Sequence, residues 1–262
     1  MFMNTLATRL AAVSLVGMLI TPAAATEWAH LRGRIVYDGP PPVPKQLVVD
    51  KDQDVCGQSA TDERLLVDPT SHGVRNVVVV LQLARGESTE VHESYQATSE
   101  QQALLENKHC RFEPHVMLMR TTQKLEIRNS DPKGDAVKID AIKNTSINVT
   151  LPAGASHVQA FPNVEPMPVR VSCAIHYWEQ GWLVVRDHPY MAVADQDGTF
   201  EVKNIPAGKR KFMFWQEEAG YLREVTFQGQ PQTWQRGTVE LDLQPGDNDL
   251  GEIIVKPALF RR

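Results

Sequence analysis

Val169-Arg170-Val171-Ser172-Cys173-Ala174-Ile175-His176-Tyr177-Trp178-Glu179-Gln180-Gly181-Trp182-Leu183-Val184-Val185 holds two β-rich runs separated by a short polar loop. Branched and apolar residues dominate both runs, so the pattern predicts strand, tight loop, strand. The loop carries Cys173 and His176 three positions apart. A thiolate and an imidazole leaving one loop can converge on a single metal ion, and that donor pair suits copper or zinc. A buried Cys beside a surface His gives the same letters, because free Cys is among the most buried residue types.

Further β signals lie on both sides. Leu31 to Tyr37 and Gln46 to Val49 are extended candidates, and Val74 to Leu83, with Val77-Val78-Val79-Val80 at its centre, is the strongest. The polar segment from Ala84 to Asn107 reads as a long surface connection with a helical turn around Ser99 to Glu106. Strands are expected at Val116 to Arg120, Lys124 to Arg128 and Ile147 to Leu151, with turn chemistry in Asn129-Ser130-Asp131-Pro132-Lys133-Gly134. Short strands at close spacing predict an all-β chain of sandwiches. Asp195-Gln196-Asp197-Gly198 between two alternating runs predicts a hairpin.

A chain of 262 residues has room for one or two cores, and 42% hydrophobic content excludes disorder. The net charge of -5 argues against a nucleic-acid partner. Residues 1–25 read as a secretory signal peptide: Arg9, an apolar run from Leu10 to Ile20, then Ala23-Ala24-Ala25 before the cleavage point. No other stretch approaches the length of a membrane-spanning helix, so the expected location is periplasmic or secreted. The three cysteines, Cys56, Cys110 and Cys173, leave one unpaired. If Cys173 is kept as a thiolate for metal, Cys56 and Cys110 remain as a disulfide pair; otherwise Cys173 pairs with one of them and no metal is bound.

Cys173-x-x-His176-x-x-Glu179 resembles the ligand loop of short-loop blue copper proteins, the amicyanin and plastocyanin type of cupredoxin, whose third ligand is a weak axial Met. The resemblance extends from Cys110 to Arg186. Its first histidine position falls, by alignment on the Asn129-Ser130-Asp131 turn, at Asp135. Two of the four expected ligands are therefore replaced by carboxylates. The resemblance implies either a degenerate type 1 copper site in a non-enzymatic binding or interaction module, or a copper-binding electron-transfer protein with a redox partner. The set Asp135, Cys173, His176 and Glu179 is either an empty relic of such a site or a metal site more congenial to zinc or non-blue copper than to a blue centre. His115, His157 and His188 read as surface or structural histidines, with substitution for the lost imidazole as the alternative.

Ala194-Asp195-Gln196-Asp197-Gly198-Thr199-Phe200-Glu201-Val202-Lys203-Asn204-Ile205-Pro206-Ala207-Gly208 resembles the carboxypeptidase regulatory-like module, also seen in starch-binding-like and prealbumin-like sandwiches. Gly33 to Val36 and Asn76 to Leu81 match its early strands. The expected organisation is a discontinuous sandwich, residues 26–98 plus 187–262, carrying a cupredoxin-like insert at 99–186; the alternative is two consecutive domains, with the N-terminal segment part of the cupredoxin-like one. Trp178, Trp182, Trp215 and Trp234 are candidates for a sugar-stacking face or for core positions, so envelope protein or carbohydrate partners are both open. No nucleophile motif, phosphate loop or metalloprotease motif appears, which argues against an enzyme.

Overall fold

The run Val77-Val78-Val79-Val80-Leu81 is buried at every position, and strand periodicity explains why. In the computed structural model, which describes residues 26–260, it enters the strand Val78–Gln82. Val77, Val79 and Leu81 face one core, with Leu31, Ile35, Phe212, Phe214 and Ile253. Val78 and Val80 face the opposite way and meet Val116, Val184, Met213 and Trp215.

The first core lies between two sheets. One has the order Thr199–Pro206, Trp28–Tyr37, Gly246–Val255, Glu224–Phe227, Gln230–Thr233. The other has the order Met191–Val193, Val78–Gln82, Gly208–Gln216, Gly220–Tyr221, with Thr238–Leu243 also paired to Gly208–Gln216. A second core, containing Leu105, Leu125, Ile127, Val137, Val171 and Leu183, lies between two more sheets. These have the orders Ile147–Leu151, Asp135–Ile139, Val169–Cys173, Gln180–Arg186, Val116–Arg120 and Ser156–Ala160, Lys124–Asn129, Ala103–Asn107, Phe112–Glu113. The chain is thus all-β, as its patterning predicts. The outer face of one sandwich packs on the outer face of the other, and Trp182 meets Trp215 edge to face with ring centroids 4.7 Å apart.

Three local readings need correction. Ser99 to Glu106 forms no helical turn: Ala103–Asn107 is a strand, parallel to Lys124–Asn129, and its alternate residues Ala103, Leu105 and Asn107 are buried. The period of two outweighs the helix-favouring composition there. Asp195 to Gly198 makes a tight turn, but Met191–Val193 and Thr199–Pro206 join different sheets, so it is a corner between layers and not a hairpin. The corner lies against Gly73, where a Cβ would fall 1.9 Å from the Asp197 backbone. The tryptophans form no common face. Trp234 packs with Phe214 and Phe227 in the first core, Trp182 and Trp215 lie in the seam, and Trp178 covers the Cys173 loop.

The quoted stretch folds as antiparallel strands Val169–Cys173 and Gln180–Arg186 around the loop 174–179. Over that loop lies a segment from the other end of the chain. Gln46–Val48 pairs with Ser59–Thr61, and the short helix Gln53–Cys56 sits between them. Cys56 and Cys110 form a disulfide with Cα atoms 5.5 Å apart, and Cys173 remains free and buried. The proposed signal segment, 1–25, lies outside the described residues.

Candidate metal centre

Cys173 ends its strand with its side chain directed inward, and the chain then turns sharply. The turn aims the backbone N–H groups of Ile175 and His176 at Cys173 Sγ, 3.2 and 3.1 Å away. It closes with the N–H of Glu179 donating to the His176 carbonyl at 2.9 Å and that of Cys173 to the Glu179 carbonyl at 3.2 Å. His176 and Glu179, three residues apart on this turn, therefore point to the same side, with His176 Nδ1 3.0 Å from Glu179 Oε1.

Asp135 opens the adjacent strand Asp135–Ile139, which pairs with Val169–Cys173 through Val137 and Cys173. Its Oδ1 accepts the Cys173 thiol and the N–H of Ala136. One donor atom from each of Asp135, Cys173, His176 and Glu179 lies within 4.8 Å of the others. All four residues are buried, at 1%, 5%, 2% and 1% exposure. The structure thus brings together the four positions taken from the sequence. His115, His157 and His188 stay apart: His115 contacts Glu217, His188 contacts the Leu81 carbonyl, and His157 lies on the strand Ser156–Ala160.

Asp135 Oδ2, His176 Nδ1 and Glu179 Oε1 are buried without a hydrogen-bond partner among the described residues. A buried polar atom left unpaired costs about 1–3 kcal/mol, so this concentration in one cluster calls for a ligand or for protons. Burial, and then Asp135, push the Cys173 thiol up to about 12. Burial, and then the Asp135 charge, raise Glu179 to about 10. Both groups are therefore protonated at neutral pH in the absence of a cation. Carboxylate, thiolate and imidazole donors gathered with open lone pairs fit a divalent transition metal.

Two further residues hold the donors. Asn107 Nδ2 donates to Glu179 Oε2 and fixes that carboxyl. Asp52 Oδ2 lies 2.9 Å from His176 Nε2, on the side of the ring away from the cluster. This hydrogen bond is the main influence that holds the Asp52 carboxyl below its usual range. Neither residue stands near the Cys173 loop in sequence. Asn107 is concealed in a segment whose composition reads as surface connection, and Asp52 follows an extended run with no motif of its own.

No protein-family model matches the chain, and no curated protein matches it. Among solved structures it is similar to a copper-containing nitrite reductase from Thermus scotoductus SA-01, with 20% identity and a TM-score of 0.29 over 32% of this chain and 22% of that one. It is also similar to a purple cupredoxin from Nitrosopumilus maritimus, with 16% identity and a TM-score of 0.27 over 32% of this chain and 98% of that one. A Cu(I) amicyanin variant gives 11% identity and a TM-score of 0.30 over 41% of this chain and 98% of that one. The matched stretch is thus less than a quarter of the nitrite reductase's length.

The loop's outer side is aromatic. Trp178 stacks at a tilt on His176, with centroids 5.1 Å apart, and its Nε1 donates to the Cys110 carbonyl at 3.2 Å. Tyr177 Oη donates to the Val48 carbonyl at 2.6 Å. The loop is therefore bonded on one side to the disulfide and on the other to the segment carrying Asp52.

Proposed function

We propose that this is an extracytoplasmic, non-enzymatic metal-binding protein whose centre holds one divalent transition-metal ion on Asp135, Cys173, His176 and Glu179. One observation carries the reading: unpaired buried donor atoms and a thiol converge within 4.8 Å, with no lysine or arginine among them. The Cys173 thiol and the Glu179 carboxyl, taken out of water beside Asp135, are stable as anions only beside a cation. When bound, the ion supplies the positive charge that lets these groups ionise. Mixed sulfur, nitrogen and oxygen donors suit zinc or a non-blue copper.

On this reading the loop is a cupredoxin-type ligand loop whose type 1 copper set has degenerated, within an insert at 99–186. Residues 26–98 plus 187–262 are its carboxypeptidase regulatory-like host, and 1–25 are a secretory signal removed in the periplasm or beyond it. The partner is a redox or envelope protein, with carbohydrate the other class. A second reading, a copper electron carrier, is favoured by the two N–H groups on Cys173 Sγ, since such donors stabilise a thiolate ligand.

Metal analysis and visible absorption of protein purified from its native compartment test both. About one equivalent of zinc or copper without an intense blue band is expected from the donor set. Protein that carries no metal and takes up neither Zn(II) nor Cu(II) removes the metal reading, and an intense blue band favours the electron carrier.

A further inference from the structure

His176 presents Nδ1 to the cluster and Nε2 to Asp52, and only one tautomer serves both. A proton on Nε2, donated to the Asp52 carboxylate, leaves the Nδ1 lone pair free for a metal. Asp52 is thus placed to orient a ligand that lies 124 residues away in sequence.

What holds Asp52 there is not apolar packing. From Lys51 to Ala60 no residue is buried, and the helix Gln53–Cys56 contributes no buried side chain. Val49 is the nearest buried apolar residue. Asp52 itself has φ of 50°, in the left-handed region that non-glycine residues rarely adopt. The fixings are polar or covalent. Lys133 Nζ lies 2.9 Å from Asp54 and 3.6 Å from Asp52, Tyr177 bonds the Val48 carbonyl, and the Cys56–Cys110 disulfide closes the end of the helix. The Cys110 side of that bond is itself held, because the N–H groups of His109 and Cys110 both donate to the Asp131 carboxylate at 2.8 Å. A segment with so few buried contacts sits at the low end of local stability, and its tether decides whether it stays.

We propose that Asp52 is a positioning residue for His176 and that the Cys56–Cys110 disulfide keeps it in place, so that reducing this bond loosens the hold on the metal. The inference rests on the metal reading above. The chemistry balances with a named reductant: a phosphine cleaves the S–S bond, supplying two electrons and becoming the phosphine oxide, while water provides the oxygen and the two thiol protons. A cellular dithiol does the same by exchange, leaving as its own disulfide. Cys173 is free in both states, so the centre keeps its thiol throughout.

Zn(II) affinity, measured by competition with a chromophoric chelator, is compared for the wild type, Asp52→Ala, Asp52→Asn and Cys56→Ser/Cys110→Ser. The serine pair removes thiols that would bind metal themselves. Loss of an outer-shell partner typically costs about 10–100-fold in metal affinity, and that loss is expected for Asp52→Ala and for the serine pair. Asp52→Asn, which keeps an oxygen acceptor, should recover part of it. Combining Asp52→Ala with the serine pair should cost little more than either alone, because both act through one contact. In metal-free protein, ring-nitrogen NMR of His176 should show the Nε2–H tautomer in the wild type and a mixture in Asp52→Ala. Wild-type affinity in both Asp52→Ala and the serine pair, or fully multiplicative losses, overturns the proposal and leaves the metal reading intact. A wild type that binds neither Zn(II) nor Cu(II) sinks the metal reading and this inference with it.

Discussion

His115 Nε2 lies 2.7 Å from Glu217 Oε2, across the seam between the two sandwiches. His115 precedes the strand Val116–Arg120 of one, and Glu217 follows the strand Gly208–Gln216 of the other. On the other side of the ring, Glu63 stands 3.7 Å from Nδ1. Burial alone would lower the imidazole pKa, but the Glu217 and Glu63 carboxylates outweigh it and lift the value to about 9.

A pKa raised on folding stabilises the protonated, folded state. The contribution is complete below the unfolded value of about 6.5 and is lost as pH rises through about 9. Replacing His115 by Gln should therefore destabilise the protein by about 2–3 kcal/mol at pH 7, and the difference should shrink as pH rises from about 6.5 to about 9 and level off above that. Urea denaturation of both proteins across this range checks it. A difference that stays constant with pH removes the charged-histidine account.

The donor set predicts the copper spectrum. Loaded with Cu(II), the wild type should lack the intense blue band, because a blue site needs two imidazoles in the plane with the thiolate. The buried cluster offers a single imidazole, His176, beside the Cys173 thiol, and its other two donors are the Asp135 and Glu179 carboxyls. Asp135→His combined with Glu179→Met should produce strong absorption toward the red end of the visible range. If the unmodified protein already shows that band, another residue completes the site.

Glu179 makes the metal-free protein less stable than it could be. Its carboxyl is buried near Asp135, and Oε1 has no partner among the described residues. Glu179→Gln keeps the shape and an acceptor for Asn107 while removing the ionisable group. The metal-free variant should gain about 1–2 kcal/mol. Its stabilisation by Zn(II), which is about 2.7 kcal/mol for an intact site at a free concentration of 100 Kd, should fall sharply. Thermal melts with and without Zn(II) measure both effects, and equal Zn(II) stabilisation in the two proteins excludes Glu179 as a ligand.

Gly73 is where backbone meets backbone. An added Cβ would lie 1.9 Å from the Asp197 carbonyl group, so Gly73→Ala must push the corner at 195–198 off the strand Trp28–Tyr37. A loss of about 2–3 kcal/mol is expected. Gly57→Ala, at a position with nothing within 4 Å and φ of 77°, should cost about 1 kcal/mol through backbone strain alone. Chemical denaturation separates the two, and equal costs would show that the corner yields.

The loop of the buried cluster was legible because Cys173, His176 and Glu179 stand within one turn between two strongly patterned strands. Asp135 came from an alignment on a neighbouring turn, and it lies beside Cys173 because Asp135–Ile139 pairs directly with the strand ending in Cys173. Asn107 and Asp52 were not legible. Each reaches the site through a tertiary contact, across 72 and 124 residues respectively. Strand Ala103–Asn107 hid for a related reason: its polar residues Glu106 and Asn107 lower its apparent apolarity, and Asn107 is buried for a hydrogen bond and not for packing. The turn Asp195–Gly198 was visible, but whether the chain crosses to the other sheet there depends on the close approach of Gly73.

The strand that shows side chains to two cores has a liability before folding. From Val77 to Leu81 it carries no charge, no proline and no glycine. Such a segment is a ready template for intermolecular β pairing while it is exposed. The cover for its second face comes from Val116 and Val184, which leave the ribosome later than the run itself. The first core cannot close any sooner, because it needs Phe212, Phe214 and Ile253 from still later in the chain; a nascent chain therefore holds the run uncovered on both faces, and the wait for those residues governs how much of the protein escapes aggregation.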